Sequence, residues 1–182
     1  MSLTATPSAL PDVILLEPAV HHDARGSLFE AFNAEAFAAA TGVRTPFVQD
    51  TQSRSVRGVL RGLHFQVAPS AQGKLVRVLA GAIFDVAVDV RVGSPTLGRW
   101  VGVALSGDRP QQLWVPPGFA HGFLVVSELA EVLYKTTTHR APGEERVLRW
   151  DDAEVGVAWP LDGPPVLSAR DAAGSSLRTL VG

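Results

Sequence analysis

The sequence predicts an all-β fold, a β-sandwich or barrel with one or two short helices, and three observations predict it. Positions 84–91 alternate between apolar side chains and a second set that includes three charged residues, the period of two typical of a β-strand. Similar short runs recur at regular spacing along the chain. Clusters of Gly, Pro, Ser and Asp separate them, as turns separate the strands of sandwiches and barrels.

The first 42 residues are predicted to hold a lead-in, one strand and a short helix. Residues 1–12 hold Ser, Thr and Pro with little pattern, so we expect a loose lead-in. Residues 13–16 are apolar and predict a first strand. Asn33 can cap a short helix that runs to Ala40 and ends at Gly42, because Asn is a preferred N-cap and Gly a preferred helix stop.

Strands predominate after this helix. We predict them at Leu75–Leu79, 84–91, Trp100–Leu105, Leu113–Val115, Phe123–Val126 and Glu131–Thr138. The turns between them fall at Gly93-Ser94-Pro95, Ser106-Gly107-Asp108 and Pro116-Pro117-Gly118. The tail, residues 160–182, is rich in Pro, Gly and Ala and is expected to wrap the surface. Without an internal repeat or linker, residues 1–182 are predicted to form a single domain.

Composition excludes several classes of function. The chain has 182 residues, of which 46% are hydrophobic and 19% charged, so it is large enough for a full core. A formal net charge of −2 gives no electrostatic reason to bind nucleic acid or an acidic membrane. There is no cysteine for a disulfide or a thiolate metal site. No signal peptide or apolar run of roughly 20 residues is present, so we expect a cytoplasmic protein.

The segment Arg61-Gly62-Leu63-His64-Phe65-Gln66, followed by Gln72-Gly73-Lys74, carries the strongest chemical signal. A neutral imidazole such as that of His64 can take a proton from carbon near neutral pH. An ammonium such as that of Lys74 can stabilise the oxyanion that this step creates. The segment therefore indicates proton chemistry next to a carbonyl.

Metal binding is the main alternative for histidines in a small β-barrel. A His-x-His pair on a strand can share one ion, because positions i and i+2 face the same way. This chain has His64-Phe65-Gln66 instead, and Lys74 would repel a cation. His21 and His22 point to opposite faces if the backbone is extended. We therefore predict a metal-free protein.

Three further residues have both a structural and a functional interpretation. His121 follows a proline turn and lies between two aromatic residues, so it is either a buried anchor or a site residue. Tyr134, the one tyrosine, is either a packing residue or a general acid. Asp171 is an ordinary loop carboxylate unless the tail folds back to orient a histidine. The sequence leaves these alternatives open.

Basic residues in the N-terminal half also have two interpretations. They are either solvated charges or a clamp for a diphosphate, since arginine binds phosphate oxygens in a bidentate fashion. The residues in question are Arg25, Arg54, Arg57, Arg61, Lys74 and Arg77. No Gly-rich nucleotide loop is present, which argues against a nicotinamide cofactor or a nucleoside triphosphatase.

Taken in order, many segments resemble the dTDP-4-dehydrorhamnose 3,5-epimerase family. The resemblance runs from about Asp23 to Asp171. The segments that carry it are Asp23-Ala24-Arg25-Gly26, Phe29-Glu30, Phe47-Val48-Gln49-Asp50, Gly58 to Gln66, Gln72 to Arg77, Asp85 to Arg91, Ser94-Pro95-Thr96, Gly118 to Phe123, Tyr134-Lys135-Thr136-Thr137 and Trp150-Asp151-Asp152.

The resemblance implies a cupin-type jelly roll, a homodimer, and chemistry without a metal or redox cofactor. It implies a dTDP-4-keto-6-deoxy sugar as the substrate, whose C4 ketone acidifies the protons on C3 and C5. His64 would be the base, oriented by Asp171. Lys74 would stabilise the enolate, and Tyr134 would return a proton to the opposite face.

The resemblance also implies a set of binding residues. Gln49, Thr51, Arg61 and His121 fall at positions that contact the sugar nucleotide. Arg25 and Glu30 match residues that reach it from the partner subunit, and Glu145 and Arg170 fall at further binding positions. The family commonly has Asn at position 51 and tyrosines where this chain has His139 and Arg140.

Three other functions are compatible with the sequence. One is a relative that inverts only C3 or only C5 of a related dTDP-keto sugar. Another is a non-catalytic sugar-nucleotide binding protein on the same fold, for which His64 would be dispensable. The third is a metal-dependent cupin oxygenase, which would require stoichiometric iron or nickel.

Overall fold

The computed structural model describes residues 2–182, in which thirteen strands and three short helices occur. The strands are β1 (Leu3–Pro7), β2 (Ile14–Pro18), β3 (Val20–Asp23), β4 (Gly26–Phe29), β5 (Gln49–Val56), β6 (Leu60–Gln66), β7 (Lys74–Ala80), β8 (Ala82–Asp89), β9 (Trp100–Ser106), β10 (Gln112–Val115), β11 (Phe119–Val125), β12 (Leu129–Thr136) and β13 (Glu145–Val147). The helices are α1 (Ala34–Thr41), α2 (Ala169–Ala172) and α3 (Leu177–Val181). None of these helices is long and apolar enough to cross a membrane.

Two antiparallel sheets make up the body of the fold. The first has six strands in the order β1-β2-β10-β7-β12-β5, and the second has five in the order β13-β6-β11-β8-β9. Strands β3 and β4 form a separate two-stranded hairpin. Buried residues from both sheets form one cluster, which includes Val76, Val78, Ile83, Ala87, Phe119, Phe123, Ala130 and Val132. The sheets therefore face each other as a sandwich, and the all-β prediction is confirmed.

Strand β8 is buried on both faces. Ile83 and Ala87 belong to the cluster between the sheets, and Asp85 shares their face because side chains two positions apart point the same way. Val86 and Val88 pack on the opposite face, in a second cluster that includes Leu177 and other residues of the C-terminal region. The charged face of the sequence pattern thus points into the sandwich, where charge is costly unless it is paired.

The predicted helix is confirmed as α1. The Asn33 side chain accepts hydrogen bonds from the backbone N–H groups of Glu35 and Ala36, which begins the helix. Gly42 ends it at φ 75°, a left-handed conformation that costs glycine little. Phe37 is buried against Trp114, with ring centroids 5.3 Å apart, so the helix packs on the outer face of the six-stranded sheet.

We predicted that residues 1–12 form a loose lead-in. Residue 1 lies outside the described residues, and for the rest of this segment the prediction is wrong. Leu3–Pro7 pairs antiparallel with Ile14–Pro18 as an edge strand. Leu10 is buried in the cluster between the sheets, and Leu3 packs near the α1 helix. These apolar side chains are separated by Thr and Pro, so the sequence has no run long enough to indicate a strand.

The other predicted strands have their counterparts in the structure, with some changes of boundary. The run Leu75–Leu79 lies within β7, and the run Phe123–Val126 is only the end of β11, which begins at Phe119. Strand β5 was not predicted, because its sequence QDTQSRSV has a single apolar residue. The strand therefore has no apolar face, and its half-buried side chains bond to other polar groups, as Gln49 does to Thr51 and Ser55 to Arg61.

The C-terminal region packs against the five-stranded sheet. Val166 forms a bridge with Val59, and Ser175 forms one with Leu148. Buried Asp152 accepts the backbone N–H of Leu177 at 3.0 Å and so fixes the beginning of α3. These contacts place the short helix α2 over strand β6.

Candidate active site

His64 and Asp171 form a hydrogen-bonded pair. His64 lies on β6 and Asp171 in α2, and His64 Nε2 is 2.5 Å from Asp171 Oδ1. The Asp171 side chain is 5% exposed and that of His64 is 27% exposed, so the carboxylate is covered while the ring remains accessible. Ser168 donates its hydroxyl to Asp171 Oδ2 at 2.7 Å, which fixes the second oxygen.

The charge of Asp171 decides which imidazole nitrogen is basic. Burial raises the pKa of Asp171, but the hydrogen bonds from His64 and Ser168 outweigh it and hold that pKa below its ordinary value. Asp171 is therefore ionised near neutral pH and accepts the Nε2–H of His64. In the neutral ring Nδ1 then lacks a proton, so it is the nitrogen that can take one from a ligand.

A second histidine–carboxylate pair lies beside the first. His121 on β11 is the cross-strand partner of His64, and its Nε2 is 2.7 Å from Asp85 Oδ1. Both side chains are buried, and Asp85 Oδ2 has no hydrogen-bond partner within residues 2–182. Burial lowers the pKa of His121, against the opposing effect of Asp85. His121 is thus a neutral ring near pH 7.

The sequence did not single out Asp85 as a site residue. One feature of the sequence could have indicated Asp85, which is a carboxylate on a strand whose other residues are nearly all apolar. A buried carboxylate of this kind requires a partner. Which face of β8 is inward was not visible from the alternation, so this signal could not be used.

Lys74 is a buried cation next to His64. Its side chain lies on β7, and its Nζ donates a hydrogen bond to the His64 carbonyl oxygen at 3.0 Å. Burial lowers the pKa of Lys74 to about 8, although the negative charges of Glu145 and Asp85 act to raise it. Near pH 7 the amine therefore carries a proton in a poorly solvated position, where its charge acts strongly on a bound oxyanion.

Tyr134 enters from the opposite sheet. It lies on β12, packs against the cluster between the sheets and is the cross-strand partner of Thr51 on β5. Burial raises the pKa of the Tyr134 hydroxyl, against the smaller effect of its hydrogen bond with Thr51. The phenol therefore keeps its proton at neutral pH and can act as a proton donor.

The two sheets bring these groups to one space. Directly paired residues of adjacent strands point to the same face, so His64 shares the inward face of His121. Leu63 and Phe65 belong to the second cluster, the one that includes Leu177 on the opposite face of this sheet. His64, which lies between them, therefore points inward. Tyr134 faces the same inter-sheet space from the six-stranded sheet.

Polar residues surround these groups. Gln49 donates its side-chain amide to the Thr51 hydroxyl at 3.0 Å. Arg61 donates its Nε to the Ser55 hydroxyl at 3.0 Å. Glu145 pairs with Arg170 at 2.8 Å, and Arg170 directly precedes Asp171. Within residues 2–182, no three His, Cys, Asp or Glu side chains are grouped as a metal site requires.

Arg25 and Glu30 are not among the groups that the structure brings together. Arg25 lies in the turn of the β3–β4 hairpin, is 90% exposed and pairs with Asp23. Glu30 accepts a hydrogen bond from the Asn33 side chain at the beginning of α1. Among residues 2–182, neither side chain forms a hydrogen bond or ion pair with His64 or Tyr134.

Comparison with known proteins agrees with this geometry. A family model described as dTDP-4-dehydrorhamnose 3,5-epimerase matches residues 7–179. The chain belongs to the dTDP-4-dehydrorhamnose 3,5-epimerase family. Membership confirms the resemblance drawn from the Arg61–Gln66 segment and the other ordered motifs.

Individual relatives in the epimerase family are similar over nearly their whole length. The chain is 55% identical over 174 residues to a dTDP-4-dehydrorhamnose 3,5-epimerase of Pseudomonas aeruginosa, covering 96% of each chain. It is similar to the crystal structure of a dTDP-6-deoxy-D-glucose-3,5-epimerase from Legionella pneumophila in complex with dTDP-4-keto-L-rhamnose. That match has a TM-score of 0.93 and 45% identity, and covers 97% of this chain and 93% of the other.

A 3'-monoepimerase is a more distant neighbour within the epimerase family's fold. The enzyme from Streptomyces bikiniensis, solved in complex with dTDP-quinovose, superposes with a TM-score of 0.89 and 36% identity, covering 95% of this chain and 87% of the other. The shared architecture is the cupin-type jelly roll, as predicted. The 3,5-epimerases of Pseudomonas aeruginosa and Legionella pneumophila, at 55% and 45% identity, are more similar to this chain than the monoepimerase is, which favours the double inversion over the single one.

Proposed function

We propose that the chain converts dTDP-4-dehydro-6-deoxy-D-glucose to dTDP-4-dehydro-L-rhamnose by inverting C3 and C5. The observation that carries the proposal is the accessible His64 on one sheet, paired with Asp171 of α2, with Tyr134 entering the same space from the other sheet. An inversion at carbon requires a base on one face and an acid on the other, and facing sheets supply that arrangement.

Proton removal is the first step at each carbon. The C4 ketone acidifies the neighbouring C–H bonds, because the resulting carbanion is delocalised as an enolate. His64 Nδ1 takes the proton, and the imidazolium so formed is stabilised by the ionised Asp171. General-base catalysis of this kind contributes about 10²–10⁴-fold to the rate.

Lys74 stabilises the enolate oxygen. The ammonium is buried, so little water screens its charge from an oxyanion placed nearby. Its hydrogen bond to the His64 carbonyl leaves other N–H donors free to bind the substrate oxygen. Stabilisation of the negative charge lowers the barrier for both C–H cleavages, because the same C4 oxygen is involved in each.

Tyr134 returns a proton to the opposite face. The hydroxyl donates to the enolate carbon, and the stereocentre is inverted when His64 has removed its proton from the other side. Each inversion leaves His64 protonated and Tyr134 deprotonated. Both groups must therefore exchange a proton with solvent before the second carbon is inverted.

The remaining residues bind the nucleotide and the sugar. Gln49 and Thr51 lie beside Tyr134, and the Arg61 guanidinium is among the charges that act on the Tyr134 hydroxyl. His121 offers a neutral ring held by Asp85, suited to a hydrogen bond with a sugar hydroxyl. Arg170, with Glu145, stands next to Asp171 at the outer side.

The active form in this proposal is a homodimer in which Arg25 and Glu30 complete the partner's site. Its support is that Arg25, at 90% exposure, and the apolar Leu28, at 65% exposure, lie on the β3–β4 hairpin and are left uncovered within one chain. The test is co-expression of two inactive variants, Arg25→Ala and His64→Ala. A mixed dimer would hold one intact site, so activity well above that of either variant alone supports the exchange. Activity no higher than theirs contradicts it.

Incubation of the protein with dTDP-4-keto-6-deoxyglucose in heavy water, followed by NMR, tests the reaction. Deuterium at both C3 and C5 of the product is expected, and label at one carbon only would indicate a single inversion. His64→Ala should lose turnover by orders of magnitude and still bind dTDP. An unchanged rate in His64→Ala, or no incorporation with the unaltered protein, would overturn the proposal.

A further inference from the structure

A cluster of three charged residues joins the two sides of the site at its outer edge. Glu145 Oε2 lies 3.1 Å from Arg140 Nη2 and 2.8 Å from Arg170 Nη1. The Glu145 side chain is 12% exposed, whereas those of Arg140 and Arg170 are 58% and 41% exposed. One nearly covered carboxylate therefore holds two guanidinium groups that both reach solvent.

The cluster carries an excess of positive charge. Burial raises the pKa of Glu145, but the hydrogen bonds and charges of Arg170 and Arg140 outweigh it and keep that pKa below its ordinary value. One ionised carboxylate thus faces two cations. Within residues 2–182, neither Arg140 nor Arg170 pairs with a second carboxylate. The remaining positive charge has no counter-ion within that part of the chain.

Arg140 is tied to the acid side of the site. Its backbone N–H donates to Gln49 Oε1 at 3.1 Å, and Gln49 in turn donates to the Thr51 hydroxyl. Thr51 is the cross-strand partner of Tyr134. The Arg140 guanidinium is also among the charges that act on the Tyr134 hydroxyl.

Arg170 and Glu145 belong to the base side. Arg170 precedes Asp171, the partner of His64. Glu145 on β13 is the cross-strand partner of Gln66, two positions from His64. The cluster therefore connects the two halves of the site at its outer edge, and a sugar nucleotide whose sugar reaches His64 can extend its nucleotide part toward it.

We propose that Arg140 binds the diphosphate of the sugar nucleotide together with Arg170, with Glu145 orienting both guanidinium groups. The inference rests on the proposed function, since it assumes a nucleoside diphosphate sugar as the substrate. A guanidinium presents parallel N–H donors that match phosphate oxygens, and two of them around one carboxylate suit a group with two adjacent phosphates. Arg140 is the one member of this cluster that the resemblance does not assign to a binding position.

The test compares Arg140→Gln with Arg140→Lys and with the control Arg146→Gln. Arg146 is also exposed and lies six positions away, and its side chain bonds, within residues 2–182, only to the backbone carbonyls of Gly143 and Glu145. Calorimetric titration with dTDP should show affinity about 10-fold or more weaker for Arg140→Gln. Arg140→Lys should be intermediate, because it keeps the charge and loses the planar fork. Arg146→Gln should match the unaltered protein.

Steady-state kinetics separate binding from a structural role. Arg140→Gln should raise the KM for the keto sugar nucleotide about 10-fold and change kcat by less than about threefold. Equal dTDP affinity in Arg140→Gln and Arg146→Gln, or a fall in kcat with dTDP affinity preserved, would overturn the inference. These outcomes differ from a failure of the proposed epimerase function. In that case the unaltered protein would bind dTDP but incorporate no deuterium into the keto sugar.

Discussion

His64 Nε2 lies 2.5 Å from Asp171 Oδ1, although 107 positions separate the two residues in the chain. The carboxylate reaches the histidine because the C-terminal region folds back over β6, held by the bridge between Leu148 and Ser175. The orientation of the proposed base therefore depends on a segment that contributes no strand to either sheet.

Replacing Asp171 with Asn should lower kcat by about 10²-fold or more, because a neutral amide does not stabilise the imidazolium. Steady-state kinetics with the keto sugar nucleotide measure the change. Asp151→Asn is the matched control, since Asp151 pairs with Arg149 at the surface, and its kcat should be unchanged. A kcat for Asp171→Asn within about threefold of the unaltered protein would contradict the role assigned to Asp171.

Tyr134→Phe should separate proton removal from inversion. His64 can still remove and return a proton on its own face, so deuterium should enter the substrate from heavy water without a change of configuration. Formation of the inverted product should fall by about 10²-fold or more. NMR follows both processes in one sample. Product formation at the normal rate would show that another group donates the second proton.

The pH dependence of kcat/KM should reveal Lys74. Because burial lowers the pKa of Lys74 to about 8, the amine loses its proton above that pH and the oxyanion loses its cation. We expect kcat/KM to fall as the pH rises through about 8 in the unaltered protein. A flat profile from pH 7 to 9.5 would indicate that the charge of Lys74 is not required.

Lys74→Met should abolish turnover and stabilise the fold near pH 7. A folded-state pKa of about 8 against an ordinary 10.5 means that the charged form costs about 3 kcal/mol on burial. That cost is present below pH 8, decreases as the pH rises and vanishes above about 10.5. Urea unfolding should therefore show a gain of about 1–3 kcal/mol at pH 7 and little at pH 10.5. Lys135→Met, at an outward ion pair with Asp50, should show no such gain.

Gly62→Ala should destabilise the strand that carries His64. Gly62 has φ 125°, and a Cβ there would lie 2.6 Å from Gly122 Cα and 2.8 Å from the His121 carbonyl oxygen. The neighbouring strand must move, so we expect a loss of about 3 kcal/mol or more in the free energy of unfolding. Gly143→Ala has open space around its added Cβ and should cost little. Similar unfolding midpoints for the two variants in urea would contradict the expectation.

Local patterns were sufficient for much of the fold. The cap at Asn33 and the stop at Gly42 are set by neighbouring backbone groups, so α1 could be predicted with its boundaries. The alternation at positions 84–91 predicted a strand for the same reason. Strand β5 could not be predicted, because its inward side chains are polar and serve the site instead of the core.

The sequence by itself determined the all-β class, the family and the choice of His64 and Lys74 as chemical groups, since these depend on residue type and on spacing along the chain. Only the tertiary structure decided that Asp171 reaches His64, that Asp85 faces inward to hold His121, and that Arg140 shares Glu145 with Arg170. An alternating strand has two faces, and its pattern does not say which is covered. Contacts between distant positions arise from the packing of sheets and tail, which fixes the distances between side chains that the sequence leaves free.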